Sequence, residues 1–207
     1  MSPADPVVFI IDDDAGLRAA MQRLLKSVGL KSEAFATAQD FIQRPRHDGP
    51  SCLILDVRLP GISGLELQHK LIESGAHFPI IFITAHGDIP MTVRAMKLGA
   101  VEFLTKPFRD QDLLDAIQQA LEHGRVARQQ QHEMAKLQHC FERLTARERQ
   151  VMRLVISGMA TKEIASVLGT SEITVKVHRS QVMHKMEAKS LAELGRMAEK
   201  LKVPTTE

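Results

Sequence analysis

Six side chains in the first half of this 207-residue chain could do chemistry together. Asp12, Asp13 and Asp14 follow the apolar run VVFII; Asp56 closes CLILD; Thr84 closes PIIFIT; Lys106 follows VEFLT. Three carboxylates in one crevice repel one another, and a hard divalent cation such as Mg2+, which prefers oxygen ligands, removes that cost. The cation and a lysine together neutralise a phosphoryl group. One carboxylate can then be the nucleophile and form an acyl phosphate, while Thr84 hydrogen-bonds a phosphoryl oxygen. Asp14 suits a second role, capping the helix that follows.

Such residues must be carried to one place by the elements before them. Val7–Ile11, Cys52–Asp56, Pro79–Thr84 and Val101–Thr105 read as buried strands, and Lys31–Ala34 as a short, weak one. Each is followed by a helical pattern, such as Leu17, Met21, Leu24, Leu25 and Val28, or Leu113, Leu114, Ile117 and Leu121. Five βα units predict an open five-stranded parallel sheet covered by helices on both faces. In such sheets ligands bind beyond the C-terminal strand ends, where all the conspicuous polar residues fall. A strand order that brings strands one, three, four and five together makes them converge.

From Leu144 onward the strand signals stop. Thr145 and Glu148 stand at the capping-box offset, and four helices follow within about 60 residues. The middle pair is joined by a short turn containing Gly169, as in a helix-turn-helix. Val175, Val182 and Met186 share one face of its second helix and are expected to pack on Ile164, Ala165 and Leu168. The opposite face presents Ile173, Lys176, Val177, Ser180 and His184. Lys beside an exposed Val suits a DNA major groove, where Lys donates to guanine and an apolar group touches a thymine methyl. Arg179, Lys185 and Lys189 lie off the centre of that face and suit phosphate contacts. Between the halves, Met134, Leu137, Phe141 and Leu144 predict a partly apolar stripe on a linker helix. The domains expected are 1–122, a linker helix 123–141, and 142–207.

Charge supports two partners. Residues 1–124 carry 12 Lys/Arg against 16 Asp/Glu, and residues 125–207 carry 15 against 9. Aromatics are 4% of the chain, with no Trp or Tyr, which argues against a site built on stacked rings. Cys52 and Cys140 are too few and too far apart for a disulfide scaffold or zinc site. His77, His86, His132, His139 and His184 show no metal-ligand spacing. No apolar run reaches the length of a membrane span, and no signal peptide is evident; a cytoplasmic location and no membrane partner are expected.

The first half resembles the receiver domain of two-component response regulators, through DDD at 12–14, LDVRLPGISGLEL at 55–67 and ITAHGDIPMTVRAMKLGAVEFLTKPF at 83–108. The receiver fold is flavodoxin-like, also called CheY-like. The second half resembles the LuxR/NarL-type helix-turn-helix output domain, through LTARERQVMRLVISG, TKEIASVLG and SEITVKVHRSQVMHKM. Together they resemble the FixJ-like branch. The resemblance implies that Asp56 is the phosphorylated residue and that Asp12 and Asp13 form the acid pocket. It implies Mg2+ held by Asp13, Asp56 and the Arg58 backbone carbonyl, with Asp12 acting partly through water. Thr84 and Phe103 would be the switch residues and Lys106 the phosphate contact, with a cis Lys106–Pro107 bond. DNA contacts would come from Thr174, Lys176, Val177, Arg179, Ser180 and Lys185. The implied protein is a non-enzymatic transcriptional regulator, an activator by family habit. Its partners would be a sensor histidine kinase, double-stranded promoter DNA, a second copy of itself on phosphorylation, and RNA polymerase. The alternative reading is a phosphorylation-independent DNA-binding regulator or a repressor, against which the intact Asp/Thr/Lys set argues; a metal-dependent phosphohydrolase is the remote reading from another class, but no substrate-binding cap is visible for it.

Overall fold

The computed structural model describes residues 5–45, 47, 49–76, 78–85 and 87–204. His77 and His86 lie outside that set. The chain divides into two compact units, Met1–Arg128 and Gln129–Glu207.

The first unit holds β1 (Val7–Ile11), α1 (Ala15–Ser27), β2 (Lys31–Phe35), α2 (Ala38–Gln43) and β3 (Ser51–Asp56). It continues with α3 (Gly64–Glu73), β4 (Ile80–Thr84), α4 (Ile89–Lys97), β5 (Glu102–Thr105) and the start of α5 (Asp110–Glu142). All strand pairs are parallel, in the order β2-β1-β3-β4-β5. The three inner strands are buried along their length except at Ser51, which is why they read as continuous apolar runs. β2, at an edge, is only partly buried, hence its weak signal.

Because side chains alternate across a strand, one face of the sheet collects Phe9, Ile11, Leu53, Leu55 and Phe82 against Phe41, Leu67 and Ala95 from α2, α3 and α4. The other collects Val8, Ile10, Cys52, Ile54, Ile81 and Ile83 against α1 and α5 residues such as Met21, Leu25, Leu113 and Ile117. Burial pushes the Cys52 thiol up to about 12, so it behaves as a small hydrophobe.

The second unit holds the end of α5, then α6 (Ala146–Ile156), α7 (Thr161–Val167), α8 (Glu172–Lys185) and α9 (Leu191–Lys200). Gly169, with φ of +60°, makes the α7–α8 turn. Ser171 caps α8, its side chain accepting from the Thr174 N–H at 3.1 Å.

Two packing expectations are corrected. Only Val175 packs with Ile164, Ala165 and Leu168. Val182 and Met186 join Cys140, Leu144, Met152, Leu194 and Ala198 instead. α8 has 14 residues and α7 has 7, about 21 and 10 Å of helix, so α7 covers only one end of α8. In the stretch read as a linker, Leu137 and Phe141 do pack in the second unit, but Met134 is exposed and Cys140 is the buried member. The same stretch begins inside the first unit. A Cβ on Gly124 would sit 3.1 Å from both Pro79 and the Ser51 carbonyl oxygen, and Arg128 donates to the Gly49 carbonyl at 2.8 Å.

Candidate functional site

The four polar groups at the strand ends converge in the first unit. Asp12 follows β1, Asp56 and Thr84 end the neighbouring strands β3 and β4, and Lys106 follows β5. Lys106 Nζ donates to Asp12 Oδ2 at 2.7 Å and to Asp56 Oδ2 at 2.6 Å. Its own backbone N–H donates to the Thr84 carbonyl at 2.7 Å, which registers the lysine against the end of β4. The Lys106–Pro107 bond is cis.

Asp12, Asp56 and Thr84 are buried, whereas Asp13 is exposed. Burial pushes the Asp12 carboxyl above its ordinary value; this outweighs the bonds from Lys106 and the Asp14 N–H, and the Asp56 charge adds to the rise. Burial also disfavours the Lys106 ammonium, but its bonds to Asp12 and Asp56 win and hold its pKa above the usual lysine value.

One carboxylate oxygen each from Asp12, Asp13 and Asp56 lie within 4.8 Å of one another. This all-oxygen donor set has one exposed member and, among the described residues, Lys106 as its cationic side-chain partner, so it fits a hard divalent cation. Asp14 is not part of the set. Its Oδ1 accepts from the Gly16 and Leu17 N–H groups at 2.7 and 3.1 Å, capping α1, and those bonds hold its carboxyl below the ordinary value.

Arg58, expected through its carbonyl, also contributes its amide, and several residues not singled out in the sequence support the cluster. The Arg58 N–H donates to Asp56 Oδ1 at 2.9 Å, so this residue orients the carboxylate through its amide. The signal for it is the short Asx-type spacing. Arg18 donates to the Asp12 carbonyl at 2.6 Å. Gly64 lies on the main chain of Asp56, where a Cβ would overlap the carbonyl oxygen. Ser63 and Glu66 close a capping box beside it. Gly87 lies against the two expected switch residues. A Cβ there would be 2.9 Å from Phe103 Cε1 and 3.4 Å from Thr84 Cγ2. The Phe103 ring lies 6.2 Å from that of Phe82.

In the second unit, α8 presents Ile173, Thr174, Lys176, Val177, Ser180 and His184 to the outside, while Val175, Val182 and Met186 are buried. Thr174 and Ser171 share a hydroxyl–hydroxyl bond of 2.9 Å. Arg179 donates to Thr161 Oγ1 at 2.9 Å, joining α8 to the start of α7. Lys185, expected on phosphate, is engaged within its own unit. Its ammonium is bonded to both carboxylate oxygens of buried Glu148, at 2.8 and 2.7 Å.

The chain matches the response regulator receiver domain over residues 8–118 and the bacterial regulatory proteins of the luxR family over residues 142–198. It belongs to the two-component response regulators. This response regulator is 53% identical to nodulation protein W of Bradyrhizobium diazoefficiens over 195 residues, 94% of this chain and 86% of that protein. It is 44% identical to the transcriptional regulatory protein FixJ of Azorhizobium caulinodans over 198 residues, 95% and 93% of the two chains. The solved structure of the response regulator StyR superposes with a TM-score of 0.86 at 49% identity, covering 95% of this chain and all of that one. The resemblance to the FixJ-like branch is borne out, as is the five-stranded parallel receiver fold followed by an all-helical region. The response regulator is a phosphorylation-controlled transcriptional regulator with a LuxR-type DNA-binding domain. No helix among the described residues is long and apolar enough to cross a membrane.

Proposed function

We propose that Asp56 accepts a phosphoryl group from a sensor histidine kinase and that the LuxR-type unit then acts on promoter DNA as a transcriptional activator. The observation that carries this reading is the bridge of Lys106 between Asp12 and Asp56, with Asp13 beside them, in a chain that also holds a luxR match. A carboxylate oxygen of Asp56 attacks phosphorus, the P–N bond to the kinase histidine breaks, and an acyl phosphate forms. Lys106 then follows the new negative charge onto a phosphoryl oxygen, and Thr84 donates its hydroxyl to another. Asp13, Asp56 and the Arg58 carbonyl would hold Mg2+, with Asp12 reaching it partly through water. When bound, the ion neutralises charge on the phosphoryl oxygens.

Movement of Thr84 toward the phosphoryl group changes the packing of Phe103, and with it the face formed by α4 and β5. Ile89, Val93 and Met96 are exposed on α4 at 81%, 44% and 42%, which supports homodimerisation there on phosphorylation. On DNA, Lys176, Val177, Thr174 and Ser180 face the groove and Arg179 lies near phosphate. RNA polymerase is the partner an activator needs, and the cytoplasm the compartment where these partners meet. As a regulator, the protein turns over no substrate of its own.

The test is intact mass after incubation with acetyl phosphate and Mg2+. One phosphoryl mass is expected on the wild type and none on Asp56→Asn. Single labelling of D56N at the wild-type rate rejects the assignment.

A further inference from the structure

We infer that Ile173 is a specificity-determining residue of the DNA-binding unit, reading the 5-methyl group of a thymine in the major groove. The inference rests on the proposed DNA-binding face of α8 and assigns a ligand feature to a side chain that no family role covers.

Ile173 and Val177 are the exposed large apolar side chains of α8 among the described residues, at 74% and 54%. They stand four residues apart and therefore on one face. A single exposed aliphatic residue needs no explanation. Two in register, on the face that also carries Lys176 and Ser180, form an apolar strip between hydrogen-bonding groups.

The first turn of α8 offers little else that could recognise a base. The Thr174 hydroxyl is shared with Ser171 at 2.9 Å, inside the helix cap. Glu172 places a carboxylate at the helix start, where it stabilises the N-terminus. Beside the exposed Glu172 and Thr174, the apolar side chain that projects outward from that turn is Ile173. The N-terminal residues of a recognition helix are those that meet base edges. An aliphatic group cannot hydrogen-bond a base, and the apolar feature on a major-groove edge is the thymine methyl. Four residues of helix advance about 6 Å, so Ile173 and Val177 suit two methyls roughly two base pairs apart, at about 3.4 Å per step.

The occupant is double-stranded DNA rather than an apolar protein surface, because the strip is set among cations. Lys176 lies within it and Lys189 is exposed beyond the end of α8, in a half of the chain with 15 Lys/Arg against 9 Asp/Glu.

The experiment selects binding sites for the full-length protein, with and without acetyl phosphate and Mg2+, from random duplexes. Each thymine of the enriched site is then replaced by deoxyuridine, which removes the methyl and nothing else. Loss of one methyl contact should weaken wild-type binding about fourfold, the worth of one buried methylene. At one sensitive position that loss should vanish in Ile173→Ser and persist in Ile173→Val. At another it should persist in I173S and vanish in Val177→Ala. Ile173 lies outside the core, so I173S should unfold at the wild-type temperature. Sensitivity unchanged in I173S at every position, or no sensitive thymine in an enriched site, overturns the inference and leaves DNA binding standing. Failure to enrich any sequence in either condition overturns the proposed function, and this inference with it.

Discussion

Lys185 and Glu148, 37 residues apart, form an ion pair that ties the end of α8 to the start of α6. Glu148 does two things at once. Its Oε2 accepts from the Thr145 N–H at 2.8 Å, closing a capping box on α6, while both its oxygens receive Lys185. Lys185→Met should therefore act on stability rather than on DNA. Removing one partner of a pair whose carboxylate is only 6% exposed should cost about 2–3 kcal/mol. Urea unfolding of the full-length protein should show this in the second unit, with affinity per folded molecule unchanged.

The same pair sets a pH response. Burial alone would raise the Glu148 carboxyl, but its bonds from Lys185 and Thr145 outweigh burial and hold it below its ordinary value of 4.5. A carboxyl depressed in the folded state contributes stability that is present above 4.5 and lost as pH falls through the folded value. Acid destabilisation of the second unit should thus begin below 4.5 in the wild type. In K185M only the Thr145 bonds oppose burial, so the loss of stability below 4.5 should shrink or reverse. Urea midpoints followed across the acid range check both the onset and its direction.

Asp13 and Asp14 are neighbours with separable jobs. Asp13→Asn should weaken Mg2+ binding about tenfold or more, since it removes a charged oxygen from the cluster. Asp14→Ala should leave Mg2+ affinity near wild type and lower the unfolding temperature by uncapping α1. Isothermal titration with Mg2+, paired with thermal unfolding, separates the two. Equal losses of affinity would place the acid cluster one residue out of register.

Gly87→Ala should disturb the pair of switch residues directly. The added methyl would meet Phe103 Cε1 at 2.9 Å, so the ring must shift, at a cost of about 1–2 kcal/mol. Phe103→Leu provides room, so the double variant should lose less than the sum of the single ones. Unfolding free energies for the four proteins give the coupling, and ring resonances of Phe103 report the shift.

Lys176→Ala and Lys189→Ala should differ on DNA. Loss of a base contact should cost roughly 1–3 kcal/mol on the selected site and much less on scrambled duplex. Loss of a phosphate contact should weaken both alike and lower the salt slope by about 1. Salt-dependent titrations of both duplexes should show the first pattern for K176A and the second for K189A. The reverse would mean that α8 docks on another face.

The sequence by itself determined the elements and the chemistry of the acid cluster. Continuous apolar runs mark β1, β3 and β4, because strands buried on both faces have no polar alternation. Each run ends in a polar residue, and a parallel sheet puts all such ends on one edge, so Asp12, Asp56, Thr84 and Lys106 converge once the strand order sets β1, β3, β4 and β5 side by side. The exposed face of α8 was legible for the same reason, since helical periodicity is a local property. What tertiary structure decided were choices between side chains equivalent in pattern. Nothing local distinguishes Lys185 from Lys189, and only the folding of α6 against α8 brings Glu148 to the former. Met134 is exposed and Cys140 buried because burial depends on which turn of α5 meets the second unit's core. Gly64 and Gly87 carry no side-chain signal at all. Their roles arise from backbone brought against Asp56 and Phe103, a closeness that exists only once the sheet and its loops are assembled.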